Sequence, residues 1–390
     1  MHINGWLVEL NQHVEIEVIE GVFSTITEAK EPNPDYKDIC ISPPLIDIQV
    51  NGFAGYDLNS NDVTTEDVRQ MVKSLRRTGT GFCCPTVVTG SHQRMSKSIQ
   101  VITTARQDPT ISSSIIGIHI EGPYISPQDG PRGAHPKEHV RQPNWDEFQH
   151  WQDIAEGQIK IFTLAPETEG AITLIEKLTE SGVVVAIGHT SAEYQQIQDA
   201  IQAGATMSTH LGNGAHARIR RHPNYIWDQL AADKLYASFI VDGHHLPPSV
   251  VKSMFRAKGL ERAILISDAV HLAGLQPGRY QFGNRDIELT SDQSVRLYGT
   301  DYLAGSAIEL VRGVENSVKF AKISLPQALR LATVQPASVL GLDHQIGSIQ
   351  AGRNADYITF QWNKLAHKIN MLSTVIDGEI ETNHESISRT

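Results

Sequence analysis

The 390-residue chain has few cysteines, no long apolar run and no excess of basic residues. Its three cysteines (Cys40, Cys83 and Cys84) are too few, and odd in number, for a disulfide framework, so we expect reduced thiols and a cytoplasmic location. No apolar stretch reaches the roughly 18 residues of a membrane-spanning helix, and the first residues do not resemble a secretory signal. A formal net charge of −11 disfavours nucleic acid and anionic membranes as partners.

What the chain does contain is a recurring unit: a short apolar run that ends in a polar residue, followed by a helix-like segment. The runs are LIDIQVNG (45–52), GFCCPTVVT (81–89), IIGIHIEG (115–122), IKIFTLAPE (159–167), VVVAIGHT (183–190), ATMSTHL (205–211), YASFIVDGHH (236–245) and AILISDA (263–269). They are apolar on both alternations, as expected for strands buried on both faces. Eight such units predict an α/β fold of the (β/α)8 TIM-barrel type.

A doubly wound parallel sheet is the alternative fold, but no G-x-G-x-x-G turn follows the first run to support it. The two ends of the chain contain short alternating runs such as HVEIEVIEG and ADYITFQW. We therefore predict a small β-sandwich domain built from residues 1–43 and 347–390, and a barrel domain of residues 44–346.

One helical segment, TSAEYQQIQDAIQAG, carries its own boundary signals. Thr190 and Glu193 have the spacing of a capping box, and Gly204 lies where a helix would end. Tyr194, Ile197 and Ile201 are predicted to share its apolar face.

The strand ends carry polar side chains, and in this type of barrel the carboxyl ends of the strands form the active-site face. These side chains are Gln49, Asn51, Thr86, Glu121, Glu167, His189, His210, His245 and Asp268. Two histidines, a glutamate and an aspartate at one place would make a metal-ligand set and a general base. Singly, a strand-end histidine could be structural, Glu121 could pair with an arginine, and Asp268 could cap a helix. Together they favour a metal site, because burying four ionisable groups at one place is costly otherwise.

The loop after Glu121 is rich in glycine and proline and ends at His135, in GPYISPQDGPRGAH. We expect Glu121 to be a metal ligand and the stiff loop to bring His135 to the rim of the site, where it could donate to a substrate carbonyl.

Seven stretches in order resemble the metal-dependent amidohydrolases and, within them, the family of N-acetylglucosamine-6-phosphate deacetylases. They are PPLIDIQVNGFAGYD (43–57), HIEGPY…GAH (119–135), GHTSAEY (188–194), THLGN (209–213), IVDGHH (240–245), ISDA (266–269) and LAGS (303–306), and GSIQAGRNADYI (347–358) resembles the return into the small β-domain. The resemblance implies hydrolysis of the N-acetyl group of N-acetylglucosamine 6-phosphate.

The resemblance also implies residue roles. Glu121, His189 and His210 match the metal ligands, Asp268 the catalytic acid and base, and His135 the group that polarises the acetamide carbonyl. The positions that match substrate contacts are Ala134, His135, Asn213, Gly214, Asp242, His245, Leu303, Ala304, Gly305 and Ser306. Arg221 matches an arginine that binds the phosphate in the neighbouring subunit's site, which implies a homodimer.

Two departures concern the substrate. The family's T-H-L-[FY]-N-A-M is T-H-L-G-N-G-A here (209–215), and its R-x-P-G is R-H-P-N (221–224). On the first strand, Gln49 and Asn51 replace the H-x-H that holds a second metal in many amidohydrolases. Amides are weak ligands for Zn²⁺, so we expect a vestigial second position and one divalent ion per subunit, Zn²⁺ in preference to other ions.

Other functions remain open at this point. The same metal centre could act on another N-acyl amino sugar, such as N-acetylgalactosamine 6-phosphate, or on a cyclic amide. A metal-free barrel that senses sugar phosphate is a further alternative, although a non-catalytic protein would have no need of Asp268.

Overall fold

The computed structural model describes residues 1–31, 33–282, 285–300 and 303–382. Its first four strands are β1 (His2–Leu7), β2 (Gln12–Ile19), β3 (Val22–Glu28) and β4 (Cys40–Ser42). In β2 the side chains of Val14, Ile16 and Val18 are buried, whereas those between them are exposed or half-buried. This alternation is typical of a sheet that packs on one face.

The next strands build the barrel. In chain order they are β5 (Leu45–Val50), a short hairpin of β6 (Gly52–Phe53) and β7 (Tyr56–Asp57), and then β8 (Thr80–Val88), β9 (Ile118–Glu121), β10 (Ile159–Leu164), β11 (Val184–Ile187), β12 (Met207–Ser208), β13 (Tyr236–Ile240) and β14 (Ala263–Ile266). The eight strands other than the hairpin form one parallel sheet in the order β14-β13-β12-β11-β10-β9-β8-β5. Seven of them lie within predicted runs and β8 begins one residue before its run, which confirms the barrel.

The two ends of this sheet, β5 and β14, meet at a seam. A parallel bridge joins Val50 to Ala269, and the backbone N–H of Asp268 donates to the carbonyl of Gln49 at 2.9 Å. The carboxylate of Asp47 accepts from two further backbone N–H groups, those of Gln49 (3.3 Å) and Ser267 (3.2 Å). Where the barrel closes, the buried carboxylate of Asp47 thus accepts hydrogen bonds in place of a backbone carbonyl.

Ten α-helices lie within the described residues. They are α1 (Thr65–Arg77), α2 (His92–Ala105), α3 (Trp145–Ile154), α4 (Ala171–Glu180), α5 (Tyr194–Gln202), α6 (Tyr225–Leu230), α7 (Pro248–Lys258), α8 (Leu310–Ala321), α9 (Leu325–Arg330) and α10 (Val334–Val339). Short 3-10 helices span Pro34–Tyr36, Ser112–Ser114, Lys137–His139 and Leu260–Arg262. In this part of the chain no helix has the length and apolar character to cross a bilayer.

The start of α5 differs from the prediction. Glu193 is the N-cap and forms the capping box with Gln196, because the hydroxyl of Thr190 donates to the carboxylate of Glu167 instead. Tyr194 is 53% exposed, so only Ile197 of the predicted apolar face is fully buried. The positive φ of Gly204 (112°) agrees with a helix that ends just before it.

A four-stranded antiparallel sheet follows the barrel strands, and the sequence did not reveal it. Its strands are β15 (Gly278–Phe282), β16 (Arg285–Leu289), β17 (Ser294–Leu297) and β18 (Leu303–Ser306), hydrogen-bonded in that order. A parallel bridge between Ala269 and Ser306 joins β18 to the chain just after β14. The insertion therefore lies beside the end of the last barrel strand.

The last strands, β19 (Tyr357–Asn363), β20 (Lys368–Ile376) and β21 (Glu379–Thr382), return to the first sheet. The combined order is β21-β20-β19-β4-β1-β2-β3, so both ends of the chain share one seven-stranded sheet. This agrees with a small β-domain assembled from both termini. The exact domain limits at residues 43 and 347 stay a prediction.

The adjacent cysteines of β8 are both buried and belong to different apolar clusters. Cys83 packs among residues such as Met95 and Ile99 of α2, and Cys84 packs with Ile46 and Ile48 of β5. Opposite orientation on a strand is what the pleat requires. Burial raises the pKa of both thiols, so they are packing residues.

Candidate metal centre and active site

The ionisable residues of the site lie at the carboxyl ends of four barrel strands. Glu121 is the last residue of β9, and His189, His210 and Asp268 each lie two residues beyond the ends of β11, β12 and β14. The latter three have positive φ angles of 51°, 31° and 48°. Such angles are uncommon outside glycine and cluster at functional sites.

This turn of the backbone gathers the side chains at one point. One carboxylate oxygen of Glu121, Oε1, lies 3.1 Å from Nε2 of His189 and 2.8 Å from Nε2 of His210. The two imidazole nitrogens are 3.0 Å apart. All three residues are buried, and theirs is the one group of this kind within the described residues whose ligand atoms lie close enough to share a metal ion.

The donor set fits a divalent cation. Nδ1 of His189 lies 2.8 Å from the carbonyl oxygen of Pro131, which can only accept, so the proton is on Nδ1 and Nε2 presents a lone pair to the cluster. Burial alone would raise the pKa of Glu121, but the close contacts with the imidazoles of His189 and His210 hold that pKa well below its usual value. An anionic carboxylate and two imidazole nitrogens are ligands that Zn²⁺ accepts.

Asp268 lies beside this cluster and is held by two amides. Its Oδ1 accepts from Nδ2 of Asn51 at 2.7 Å and from Nε2 of Gln49 at 3.2 Å. Gln49 also donates to Oε1 of Glu121 at 2.9 Å. Burial, followed by the negative charge of Glu121, raises the pKa of Asp268 to about 6. A carboxylate with this pKa can accept a proton near neutral pH and return it.

His135 reaches the cluster at the end of the glycine- and proline-rich loop. Its Nε2 lies 3.2 Å from Nε2 of His189, and its Nδ1 lies 2.7 Å from the hydroxyl of Thr89. Burial, followed by the neighbouring His189, lowers the pKa of His135 to about 3. The imidazole is therefore neutral and carries a single proton.

Asp242 and His245 form a tight pair on the loop after β13. Oδ2 of Asp242 lies 2.6 Å from Nδ1 of His245, and Oδ1 accepts from the backbone N–H groups of His244 and His245, both at 2.8 Å. Burial would raise the pKa of Asp242, but the hydrogen bonds from His245 lower it. The carboxylate thus fixes the orientation of the His245 ring.

The loop after His210 approaches a candidate metal ligand closely. A Cβ atom on Gly214, whose φ is 54°, would lie 2.7 Å from Nδ1 of His189. Asn213 turns back on His210, since its Nδ2 donates to that residue's carbonyl at 3.2 Å. The lack of a side chain at 214 leaves room for His189.

The LAGS stretch, strand β18, lies against the backbone that carries Asp268. The N–H of Ser306 donates to the carbonyl of Asp268 at 3.3 Å, and the N–H of Val270 donates to the carbonyl of Ser306 at 2.9 Å. Of the four residues, Ala304 and Ser306 are buried, and Leu303 and Gly305 are half-buried.

Some candidate residues do not join the cluster. Ala134 is exposed, and Arg221 lies in an exposed segment, residues 217–223. Glu167 accepts from the backbone N–H of Ser191 at 2.7 Å, so it supports the turn before α5. The hydroxyl of Thr86 accepts from the backbone N–H of Val50 at 3.0 Å, within the barrel wall.

Comparison with known families matches residues 40–380 to the Amidohydrolase family. The chain belongs to the amidohydrolase family. Members are metal-dependent, in agreement with the buried Glu/His/His cluster.

Two relatives and one solved structure place this amidohydrolase more closely. An N-acetylglucosamine-6-phosphate deacetylase from Bacillus subtilis is 31% identical over 352 residues, which cover 88% of this chain and 87% of the relative. An N-acetylgalactosamine-6-phosphate deacetylase from Escherichia coli is 30% identical over 360 residues, 91% of each chain. A Mycobacterium smegmatis N-acetyl-D-glucosamine-6-phosphate deacetylase, solved as an aspartate-to-alanine variant with that sugar phosphate, has a TM-score of 0.85 at 26% identity, and the match covers 97% of this chain and 99% of that one.

Thr89 of this amidohydrolase was not among the residues that the sequence singled out. It is the last residue of the run GFCCPTVVT, where the rule of polar strand ends would have selected it. Thr86 was chosen instead, and its side chain serves the barrel wall. The polar residue at the end of the run was therefore the signal that could have identified Thr89.

Proposed function

We propose that this amidohydrolase hydrolyses the N-acetyl group of N-acetylglucosamine 6-phosphate and releases acetate and glucosamine 6-phosphate. The observation that carries the proposal is the convergence of Glu121, His189 and His210 on one point, with Asp268 and His135 beside it. Relatives with this activity match along most of the chain, which supports the choice of substrate.

In this proposal Glu121, His189 and His210 hold one divalent ion, Zn²⁺ in preference to others because the donors are imidazole nitrogens and a carboxylate oxygen. A bound ion of this kind supplies Lewis acidity and lowers the pKa of water from about 16 towards about 7. Gln49 and Asn51 direct their N–H groups at carboxylates. Amide donors in that orientation support a single ion rather than a pair.

Asp268 carries the proton transfers, and His135 stabilises the developing negative charge. Asp268 accepts the proton of the water that attacks the acetamide carbon, and its pKa near 6 leaves it ionised at neutral pH. His135 donates from Nε2 to the acetamide oxygen as negative charge develops there, a contribution of about 3 kcal/mol for a well-placed donor. Asp268 then passes its proton to the amine, which leaves as a neutral group.

The remaining polar positions are assigned to the sugar phosphate. Ala134, Asn213, Gly214, Asp242, His245 and residues 303–306 border the cluster or its loops and would contact the sugar. Arg221 would hold the phosphate of the substrate bound to a second subunit, since its segment is exposed here. A homodimer and a cytoplasmic location remain predictions from the sequence.

The test is release of acetate from N-acetylglucosamine 6-phosphate by the zinc-loaded protein. N-acetylgalactosamine 6-phosphate, unphosphorylated N-acetylglucosamine and a cyclic amide serve as comparison substrates. We expect the highest kcat/KM for the first. A higher value for another substrate would contradict the proposal and would identify that compound's class as the natural one.

A further inference from the structure

The hydroxyl of Thr89 contacts Nδ1 of His135, and this contact bears on which ring nitrogen can donate a hydrogen bond to the substrate. We propose that Thr89 is a positioning residue that keeps the single proton of His135 on Nε2, the nitrogen that faces the metal cluster. The inference rests on the proposed function, in which Nε2 donates to the substrate. Thr89 itself would touch neither substrate nor metal.

The two ring nitrogens of His135 have different surroundings. Nδ1 lies 2.7 Å from the hydroxyl oxygen of Thr89, whereas Nε2 points to Nε2 of His189 at 3.2 Å. A neutral imidazole has one N–H donor and one acceptor nitrogen, so the partner of Nδ1 decides what Nε2 can do. If Nδ1 accepts, Nε2 must donate.

The hydroxyl of Thr89 has one proton and two acceptors within reach. One is Nδ1 of His135 at 2.7 Å, and the other is the carbonyl oxygen of Glu121 at 3.4 Å. A distance of 2.7 Å is that of a good hydrogen bond, whereas 3.4 Å is at the weak limit. The distance alone would also fit Nδ1–H donating to the hydroxyl, but Nε2 of His135 lies 3.2 Å from Nε2 of His189, which presents a lone pair, so the proton of His135 is on Nε2 and the hydroxyl donates to Nδ1.

The backbone around Thr89 has little freedom to move. A Cβ atom on Gly122 would lie 2.2 Å from the Thr89 hydroxyl, so the hydroxyl packs against the chain beside Glu121. The carbonyl of the next residue, Gly90, accepts from Nη1 of Arg141 at 2.9 Å. Thr89 is 2% exposed, so bulk solvent does not compete for its hydroxyl.

Arg141 is itself fixed on both sides. Its Nε donates to Oε2 of Glu147 at 3.0 Å, and its backbone N–H donates to the carbonyl of Pro123 at 3.2 Å. Tyr124 donates its hydroxyl to the same carboxylate oxygen at 2.7 Å. Arg141 therefore links the strand end that bears Thr89 to the loop that leads to His135.

The test uses Thr89→Val, which preserves shape and removes the hydroxyl, and Thr89→Ser, which keeps the hydroxyl. The ¹⁵N resonances of the His135 ring are recorded in the zinc-loaded protein and assigned through their loss in His135→Asn. We expect the proton on Nε2 in the wild type and in Thr89→Ser. In Thr89→Val it should leave Nε2 for part or all of the population.

Kinetics provide the second readout. We expect kcat for acetate release to fall about 10- to 100-fold in Thr89→Val with KM little changed, and to recover in Thr89→Ser, as for residues that orient a functional histidine. If Thr89→Val fails to fold, Thr89→Ala serves instead. A proton on Nδ1 in the wild type, or on Nε2 in the variant without the hydroxyl, would overturn the inference.

The two proposals fail separately. Resonances that shift with the hydroxyl in a protein that releases no acetate from any sugar would refute the proposed function and leave the role of Thr89 intact. Full activity together with unchanged ring resonances in Thr89→Val would refute the role of Thr89 and leave the proposed function intact.

Discussion

The two parts of the proposed site are held in opposite ways. Glu121, His189 and His210 are buried and Asp268 is half-buried at the ends of barrel strands, and each is fixed by partners on other elements. The segment 217–223, which includes Arg221, is exposed. The difference indicates that the barrel itself builds the reacting end, whereas the phosphate end of the substrate depends on a surface segment and, if the homodimer forms, on a second subunit.

The largest expected effect comes from Glu121→Gln, which removes the anionic member of the cluster. We expect the purified protein to hold little zinc and to show no turnover above background, because two neutral imidazoles alone bind the ion weakly. Metal content by mass spectrometry and acetate release measure this.

Glu167→Gln is the matched control for that change, since Glu167 follows the neighbouring strand and supports a turn instead. It should retain the metal. Equal zinc loss in both variants would show that the cluster is not the metal site.

Asp268→Asn separates proton transfer from metal binding at the same strand ends. The amide cannot accept the proton of the attacking water, so we expect kcat to fall about 10²- to 10⁴-fold with the metal content unchanged. The wild-type kcat/KM should also fall on the acid side as Asp268 becomes protonated, at a pH below about 6 because a bound cation lowers the pKa of a neighbouring carboxyl. Near-normal activity of the variant would remove Asp268 as the base.

Arg221→Ala tests the exposed half of the comparison. Loss of a charged hydrogen bond to phosphate costs roughly 1.5–3 kcal/mol, so we expect KM for the phosphorylated sugar to rise about 10- to 100-fold. KM for the unphosphorylated sugar should change little. Arg218→Ala, on the same exposed segment, is the control, and a similar rise there would mean that the segment contributes only general charge.

The smallest effect concerns Asp47 at the barrel seam. Burial raises the pKa of Asp47 to about 7, above its value of about 3.9 in an unfolded chain. The folded state therefore keeps a proton that the unfolded state loses, and this group makes stability fall as the pH rises from about 4 to about 7.

Asp47→Asn imitates the protonated acid, so its stability should not depend on pH through this group. At pH 8 the free energy of unfolding of the wild type should be lowered by about 1–3 kcal/mol, and the variant should not show this loss. Urea unfolding of both proteins at pH 5 and pH 8 measures it. An unchanged difference between the two pH values would show that Asp47 is not the group responsible.

Much of the barrel could be read from the sequence, because strands buried on both faces form apolar runs that differ clearly from the helices between them. Glu121, His189, His210 and Asp268 could be placed for the same reason, since each follows such a run. The positive φ angles of His189, His210 and Asp268 could not be foreseen, because histidine and aspartate give no local signal for them, unlike glycine.

Features that depend on contacts between distant residues could not be predicted from the sequence. The cap of α5 is Glu193 rather than Thr190 because Glu167, in the turn after β10, accepts the hydrogen bond of the threonine hydroxyl. The sheet of β15 to β18 has short strands, and its last one pairs beside Asp268, a contact that no local pattern encodes. The same holds for Thr89, whose partner is 46 residues away.

The pairing of β4 with β19 has a consequence for biosynthesis. Ile41 of the first strands lies opposite Thr359, near the other end of the polypeptide. During translation, the edge of β4 therefore stays open until β19, more than 300 residues later, has been made. Open strand edges invite pairing with other chains, so we expect the incomplete chain to aggregate more readily than the folded protein.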